Sequence, residues 1–330
     1  MNIKKTQFYT TNAKEILANI LDYLPKNCKI VEPFVGNGDL IPYIEKITKD
    51  YEIYDIASKL CPSTDTLLNP PEYKGKYVLT NPPYMAKNKS KDKFIYDKFG
   101  LDDLYKISIK TMIDGDVEGG ILIIPSNFIM DEYTNKLRDD FFSKYNILHI
   151  NYFTYKIFDD TSYSIIAFYF EKIKTQNKQT ILDIYTKNYI KRIDNFVLNG
   201  RLFENFYNQF DNITPIVGRI TPNNADNATF IKVYCLDNKL SKIRAEYDEN
   251  IFIGKSTDRV FFTMTQPKNL CLSIEEQKEI IKKFNIIVNR WRDEYENLIF
   301  TTYRENNRKR IGFDLAYKIL SGIITKKFNI

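Results

Sequence analysis

Short apolar runs alternate with stretches of helical character through the first half of the chain, and this alternation restricts the fold more than any other feature. The predicted strands cover residues 28–32, 51–54, 77–80, 120–124, 147–152 and 163–170. The predicted helices cover 13–24, where Asn12 and Glu15 have capping-box spacing, then 39–47 and 102–114. The lysine-rich segment 85–99 has no clean period and is expected to be a mobile loop. The alternation predicts an α/β fold built on a mostly parallel sheet.

The second half has a different pattern and predicts a second, smaller domain. Polar, turn-rich segments separate short strand-like pieces, and a helix is expected over 274–297, where Ser273 and Glu276 form another capping box. With 330 residues there is room for two domains, which we assign to 1–190 and 191–330. The whole net charge of +6 falls in the second part. Such an excess is typical of a solvated basic face or of a phosphate-binding surface.

Several classes of protein are disfavoured by the composition. No run of about 18 apolar residues indicates a membrane span, and the first residues lack the apolar stretch of a signal peptide. We therefore expect a cytoplasmic protein with no membrane partner. The four cysteines have no Cys-x-x-Cys spacing. The single histidine, His149, lies in an apolar run and is expected to be structural, so no bound metal is expected.

A glycine turn follows the first predicted strand, in the sequence Val31-Glu32-Pro33-Phe34-Val35-Gly36-Asn37-Gly38-Asp39. Glycines let the backbone approach a ligand closely, and a following helix offers free N–H groups to an anion. An ordinary tight turn between a strand and a helix would look the same, so this motif alone does not establish a binding site.

Two acids follow at positions where a nucleoside could be held. Asp55 ends the second predicted strand, where a carboxylate can bind the two hydroxyls of a ribose. Asp65 comes ten residues later and could accept a hydrogen bond from an adenine amino group. Either residue could equally be a solvated loop acid.

The most specific motif is Thr80-Asn81-Pro82-Pro83-Tyr84, at the end of the third predicted strand. Two prolines stiffen the backbone and remove two N–H donors. The carbonyl groups and the Asn81 side-chain oxygen are then free to accept hydrogen bonds from an amino group, and Tyr84 offers a flat face for a base. A plain turn has no need of this combination.

These motifs, in this order, resemble the gamma group of adenine-N6 DNA methyltransferases, which is typical of type II restriction–modification systems. Residues Gln7 to Thr11 resemble the group's N-terminal cofactor motif. Glu32 to Gly38 resemble its methionine-binding motif, with Pro33-Phe34 in place of the commoner Pro-Ala or Pro-Ser. Asn81 to Tyr84 resemble its catalytic motif, and residues 120–126 the strand that supports the site. The likeness extends over most of residues 1–175.

The resemblance implies a role for individual residues. The residues assigned to S-adenosyl-L-methionine are Tyr9, Thr10, Thr11, Glu32, Pro33, Phe34, Gly36, Gly38, Asp55, Ile56, Asp65 and Asn81. The catalytic set is Asn81, Pro82, Pro83, Tyr84 and Phe158, the last as a second aromatic against a flipped base. Phe153 and Tyr163 are nearby alternatives to Phe158.

The implied fold is a Rossmann-like methyltransferase sheet of seven strands, one of them antiparallel, with a smaller C-terminal target-recognition domain. The implied reaction is methyl transfer to adenine N6 in a short sequence of double-stranded DNA, with base flipping. A cognate restriction endonuclease on a separate chain is a possible partner. Cationic residues proposed to contact DNA are Lys87, Lys89, Arg304, Arg308 and Arg310, although solvated charged loops would look the same.

Other functions remain open at this point. The Asn-Pro-Pro-Tyr motif also occurs in enzymes that methylate adenine in RNA or glutamine in proteins. The cofactor motif begins almost at the N-terminus, and the C-terminal part is large and basic, which favours nucleic acid over protein as substrate. A DNA-binding subunit without activity is a further alternative, although it would not need the Asn81 to Tyr84 side chains. The absence of a Pro-Cys nucleophile argues against cytosine-C5 methylation.

Overall fold

The structure is a computed structural model that describes residues 10–131, 134–158, 163–174, 179–197, 213–238, 242–266, 270–303 and 308–328. The chain divides into two compact units, Met1–Leu202 and Phe203–Ile330. Residue 190, where we expected the first domain to end, is the first residue of a strand that belongs to the sheet of the first unit. None of the described helices is long and apolar enough to cross a membrane.

A single large sheet organises the first unit. Its strands are β1 (Ile30–Glu32), β2 (Tyr51–Ile53), β3 (Tyr77–Thr80), β4 (Gly119–Pro125), β5 (Tyr145–Phe153), β6 (Ile165–Lys172), β7 (Gln179–Tyr185) and β8 (Ile190–Val197). The strand order is β2-β1-β3-β4-β6-β5-β7-β8. The mixed α/β class with a mostly parallel sheet is as predicted.

The strand count and the number of antiparallel strands differ from the expectation. Among the described residues the sheet has eight strands rather than seven. Two of them are antiparallel to their neighbours: β6, inserted between β4 and β5, and β8 at the edge beside β7. The additional strand forms because the segment after β7 turns back within four residues and pairs along its length.

Six helices accompany this sheet: α1 (Ala13–Ile16), α2 (Ile41–Ile44), α3 (Phe94–Phe99), α4 (Leu104–Asp114), α5 (Asn127–Met130) and α6 (Asn135–Lys144) among the described residues. The helix predicted over 13–24 is wrong in length. Asn12 makes no side-chain cap but donates from Nδ2 to the carbonyl of Ile157 (2.7 Å). Asn19 has φ +64°, a left-handed conformation that a continuous helix does not allow. Segment 85–99, expected to be a loop, contains α3 and a short 3-10 turn.

The core of the first unit surrounds β4, whose seven residues are all buried. This strand lies very close to β3, and glycine makes the approach possible. Gly120 has φ +149°, and a Cβ at this position would lie 2.1 Å from the carbonyl oxygen of Val78. Since β3 leads directly to Asn81, the register of β4 against β3 fixes the start of the segment Asn81 to Tyr84.

His149 is buried in this unit, in keeping with the structural role expected from the sequence. Its Nε2 lies 2.9 Å from Asp183 Oδ2, and Tyr23 packs edge-on against its ring. Burial would raise the pKa of Asp183, but hydrogen bonds from Arg192 and His149 outweigh it and hold the pKa well below its usual range. Asp183 and its two partners, His149 and Arg192, therefore join β7 to β5 and β8 by polar contacts.

The second unit contains a smaller antiparallel sheet. Its strands are β9 (Val217–Arg219), β10 (Ala228–Tyr234), β11 (Arg244–Tyr247) and β12 (Val260–Thr265), in the order β11-β10-β12-β9. A hairpin of β13 (Thr301–Tyr303) and β14 (Arg308–Arg310) follows later in the chain. The long helix α7 (Ile274–Tyr295) begins with the predicted capping box of Ser273 and Glu276, and α8 covers Phe313–Phe328. The Asn285 side chain of α7 bonds both backbone groups of Ala245 in β11 (2.8 and 2.9 Å).

Candidate active site

A cleft opens where β1, β2 and β3 end, side by side and parallel. The space counted within it, about 1110 Å³, includes open solvent at its mouth. The predicted site residues that line it are Thr10, Phe34, Gly36, Asp55, Ile56, Asp65, Asn81 and Pro83. Loops that follow neighbouring parallel strands converge at one edge of the sheet, where open α/β folds bind their ligands.

The turn after β1 has the backbone conformation that glycine permits. Gly36 and Gly38 have φ values of +52° and +85°. A Cβ at Gly38 would also lie 2.8 Å from Leu60 Cδ1. The two glycines therefore keep the chain folded back at the rim of the cleft.

Glu32 and Pro33 lie beneath this turn and are not among the residues that line the cleft. The Glu32 carboxyl is 0% exposed, and its Oε1 accepts hydrogen bonds from Phe34 N–H (2.9 Å) and the Thr80 hydroxyl (2.6 Å). Burial raises the pKa of Glu32 to about 8, although these hydrogen bonds oppose the increase. In this structure Glu32 joins the end of β1 to the end of β3.

Asp55 faces the cleft, but its carboxylate is already bonded to the backbone. Oδ2 accepts from Gly36 N–H (3.0 Å), and Oδ1 accepts from the N–H groups of Ala57 (2.6 Å) and Ser58 (2.9 Å). The Ser58 hydroxyl in turn donates to the Gly36 carbonyl (2.6 Å). These contacts fasten the loop after β2 to the glycine turn after β1.

The next segment forms the apolar side of the cleft. Asp65 accepts at Oδ1 from the N–H groups of Leu67 (3.1 Å) and Leu68 (3.2 Å), which bends the chain so that both leucines line the cleft. Phe34 lines the same space and packs against a buried cluster that includes Leu67 and Leu104. Acids beside an apolar surface are suited to a ligand that carries both a sugar and a flat ring.

Asn81 lies at the inner part of this cleft and is 9% exposed. Its Nδ2 donates to Thr10 Oγ1 (3.1 Å), and its Oδ1 accepts a hydrogen bond from the Tyr84 hydroxyl. Pro83 lines the cleft beside it and Pro82 is buried. The carboxamide is thus held at both ends within the protein.

Tyr84 and Phe158 have positions that the sequence did not reveal. Tyr84 is 5% exposed, and its hydroxyl also lies 2.6 Å from the Ile123 carbonyl of β4. Phe158 is 2% exposed. Neither ring is among the residues that line the cleft, so in this conformation neither presents a face to a base.

The sequence assignment missed twelve of the residues that line the cleft, and Asp39 and Phe94 are two informative examples. Asp39 accepts at Oδ2 from Thr10 N–H (3.0 Å), which holds the segment before α1 against the glycine turn. Phe94, the first residue of α3, lies at the rim and is 63% exposed. Asp39 directly follows Gly38 and could have been inferred from the motif, whereas Phe94 stands in a segment without a clear pattern.

The proposed DNA-contact residues lie in both units. In the first unit, Lys87 forms an ion pair with Asp97 and Lys89 is exposed. In the second unit, Arg308 Nε donates to the Asp237 carbonyl (2.7 Å) and Arg310 Nε to Thr301 Oγ1 (2.8 Å). Thr11 is exposed beside the cleft residue Thr10. Tyr9 and Arg304 lie outside the described residues.

Residues 2–158 match one protein family, described as Eco57I restriction-modification methylase. The matched segment includes the glycine turn, both acids and Asn81 to Tyr84. It is just under half of the chain and has the sequence pattern of a restriction–modification methylase. None of the curated proteins matches the sequence.

Many solved structures are similar to part of the chain, and two examples each cover 56% of it. One is a modification subunit of a putative type I restriction enzyme from Vibrio vulnificus, with 10% identity, a TM-score of 0.44 and 48% of that subunit covered. The other is a type I restriction–modification methyltransferase subunit from Streptococcus thermophilus, with 16% identity, a TM-score of 0.41 and 49% covered. The chain therefore spans about half the length of these subunits.

Proposed function

We propose that this protein is an S-adenosylmethionine-dependent DNA methyltransferase that methylates the N6 amino group of adenine within a short duplex sequence. The observation that carries the proposal is the position of the Asn81 carboxamide inside a cleft bordered by a glycine turn. The match of residues 2–158 to a restriction–modification methylase family supports the same chemistry. The first unit would then be catalytic and the second would recognise the DNA sequence.

The cleft suits the cofactor in three respects. Gly36 lines the cleft without a side chain, so a ligand can approach its backbone closely. Asp55 and Asp65 supply carboxylate oxygens, and apolar side chains such as Leu67 supply a surface for a ring. When bound, the cofactor supplies an electrophilic methyl group.

Asn81 would act on the amino group of the target base. Its Oδ1 and the carbonyl of Pro82 are acceptors, and no N–H at residues 82 or 83 competes with them because both are proline. Two acceptors hold both N6 hydrogens and turn the nitrogen lone pair towards the methyl carbon. Held in this way, N6 would attack the methyl group that the bound cofactor would supply, and it would then release one proton to water. The acceptors stabilise the positive charge that develops on nitrogen, which is why they accelerate the reaction.

Adenine N6 is inaccessible to this cleft while the base is paired, so the base has to leave the helix. Unstacking costs a few kcal/mol. Stacking on an aromatic ring returns about 1–3 kcal/mol per base. In the proposal Tyr84 supplies this ring after it moves out of its buried position, and Phe158 contributes only if it moves too. The basic residues Lys87, Lys89, Arg308 and Arg310 would contact phosphates, and a restriction endonuclease on another chain would share the recognition sequence.

The test is methyl transfer from labelled S-adenosylmethionine to long unmethylated duplex DNA, followed by digestion to nucleosides. We expect label in N6-methyldeoxyadenosine. RNA and protein are offered as substrates in parallel. Label in either of them, with none in DNA, would show that the substrate belongs to another class. Cofactor binding without any transfer would contradict the proposed activity.

A further inference from the structure

The orientation of the Asn81 carboxamide depends on contacts at both ends. Its Nδ2 donates to Thr10 Oγ1 (3.1 Å), a residue 71 positions away in the sequence, and its Oδ1 faces the Tyr84 hydroxyl. A carboxamide can rotate by 180° and exchange its donor and its acceptor at little steric cost. The chemistry described above works only when the oxygen faces the amino group.

Thr10 is itself fixed on both sides of its backbone. Its N–H donates to Asp39 Oδ2 (3.0 Å), and its carbonyl accepts from Ala13 N–H (3.1 Å) at the start of α1. The residue is buried and lines the cleft. The backbone that carries the Thr10 hydroxyl is therefore held on both sides, while Tyr84 has to move before a base can stack on it.

We propose that Thr10 is a positioning residue for the methyl transfer. Its hydroxyl holds Asn81 Nδ2, and so keeps Oδ1 directed at the place that the N6 amino group will occupy. This assignment rests on the proposed function, but it concerns a different atom pair from those that bind substrate. With the carboxamide reversed, Nδ2 would meet the N6 hydrogens donor to donor, and the hydrogen bond that stabilises the transition state would be lost.

Asp39, Thr10 and Asn81 form one continuous chain of contacts along the cleft wall. The chain runs from the glycine turn after β1, through the segment before α1, to the motif after β3. A ligand bound against the glycine turn would therefore lie next to the segment that contains Thr10 and orients the Asn81 carboxamide. Thr10 connects the cofactor region to the catalytic amide.

Thr10→Val removes the hydroxyl at nearly constant volume, and Thr10→Ser restores it. We expect Thr10→Val to lower the kcat for methyl transfer to unmethylated duplex DNA by at least about tenfold, the equivalent of one misplaced hydrogen bond. Because Thr10 also lines the cleft proposed for the cofactor, kcat is measured at S-adenosylmethionine concentrations that saturate each variant, as judged from its Kd measured by calorimetry. Thr10→Ser should recover most of the kcat. Thr186→Val, which removes a hydroxyl from the exposed turn between β7 and β8, is the matched control.

A second readout does not depend on activity. The side-chain NH₂ signals of Asn81, assigned by their loss in Asn81→Asp, should shift and exchange faster with solvent in Thr10→Val but not in Thr10→Ser. The proposal is overturned if these signals are unchanged in Thr10→Val, or if both Thr10 variants lose activity equally. A wild-type protein that transfers no methyl group would contradict the proposed function, and the NMR comparison would still decide whether Thr10 orients Asn81.

Discussion

The hydroxyl of Tyr84 donates to Oδ1 of Asn81, so the acceptor that we propose for methyl transfer is covered by an aromatic residue of the same motif. The two residues are three positions apart and both are buried. In the proposed reaction a substrate amino group would need the oxygen that Tyr84 contacts, and a substrate base would need the ring that is turned inwards. A single movement of Tyr84 would then make both the acceptor and the ring accessible.

Replacing Tyr84 separates the function of its ring from that of its hydroxyl. Tyr84→Phe keeps the ring and removes the hydroxyl that competes with a substrate for Asn81 Oδ1, so we expect kcat/KM for duplex DNA to be retained or increased. Tyr84→Ala removes the stacking surface and should lower kcat/KM by about 5- to 150-fold, the equivalent of 1–3 kcal/mol. Steady-state kinetics on the same DNA measure both. Equal losses in the two variants would show that the ring does not stack.

Asn81→Ala tests the acceptor itself. Loss of a preorganised group at the reacting atom should lower kcat by at least about 100-fold. Binding of S-adenosylmethionine should weaken by no more than about tenfold, the value of one neutral hydrogen bond. Calorimetry measures the Kd for S-adenosylmethionine, and single-turnover experiments measure the rate constant of methyl transfer. Near-normal transfer by this variant would remove Asn81 from the catalytic set.

The buried carboxyl of Glu32 predicts a dependence of stability on pH. Its pKa is about 8 in the folded protein against an ordinary value of 4.5, so between these values the folded state binds more protons than the unfolded state. The free energy of unfolding should therefore decrease as pH rises through this window, with a contribution of up to about 1.4 kcal/mol per pH unit, and level off above it.

Glu32→Gln isolates this contribution because an amide does not titrate in that range. Urea denaturation of both proteins at pH 5.5, 6.5 and 7.5 gives the difference in slope, in which other titrating groups cancel. We expect the variant to lose less stability than the unmodified protein across the series. Parallel curves would mean that Glu32 is already ionised.

Gly120→Ala should destabilise the sheet at its centre. The added Cβ would lie 2.1 Å from a backbone oxygen of β3, which no side-chain rotation relieves. Overpacking of this kind costs about 1–3 kcal/mol or more. Gly75→Ala is the matched control, because Gly75 also has a positive φ but has nothing within 4 Å of the added Cβ. Equal losses of unfolding free energy in the two variants would contradict a steric origin.

Features encoded by local sequence were predicted well. The apolar run 77–80 forms β3 with the predicted bounds, and Ser273 and Glu276 cap α7 as expected. A run of apolar side chains is sufficient to predict the strand, and a pair of capping residues is sufficient to predict where the helix begins. The glycine turn and Asp55 belong to the same group, because each follows directly on the end of a strand.

Features decided by distant contacts were not predicted. The helix expected over 13–24 is interrupted because Asn12 bonds Ile157 and Asn19 bonds Asp183, both far away in the sequence. The burial of Tyr84 depends on the carbonyl of Ile123, which only the folded sheet brings near. The residue types of the Asn81 to Tyr84 motif indicate which chemistry is available, whereas packing against β4 decides the direction in which the Tyr84 ring points.

The contacts of Asp55 have a consequence for the thermodynamics of binding. Its carboxylate and the Ser58 hydroxyl already tie the loop after β2 to Gly36. A ligand that enters the cleft therefore meets walls with little conformational entropy left to lose, and a larger share of its contact energy appears as affinity. Variants that lose these hydrogen bonds would bind the same ligand with similar enthalpy and a larger entropic penalty.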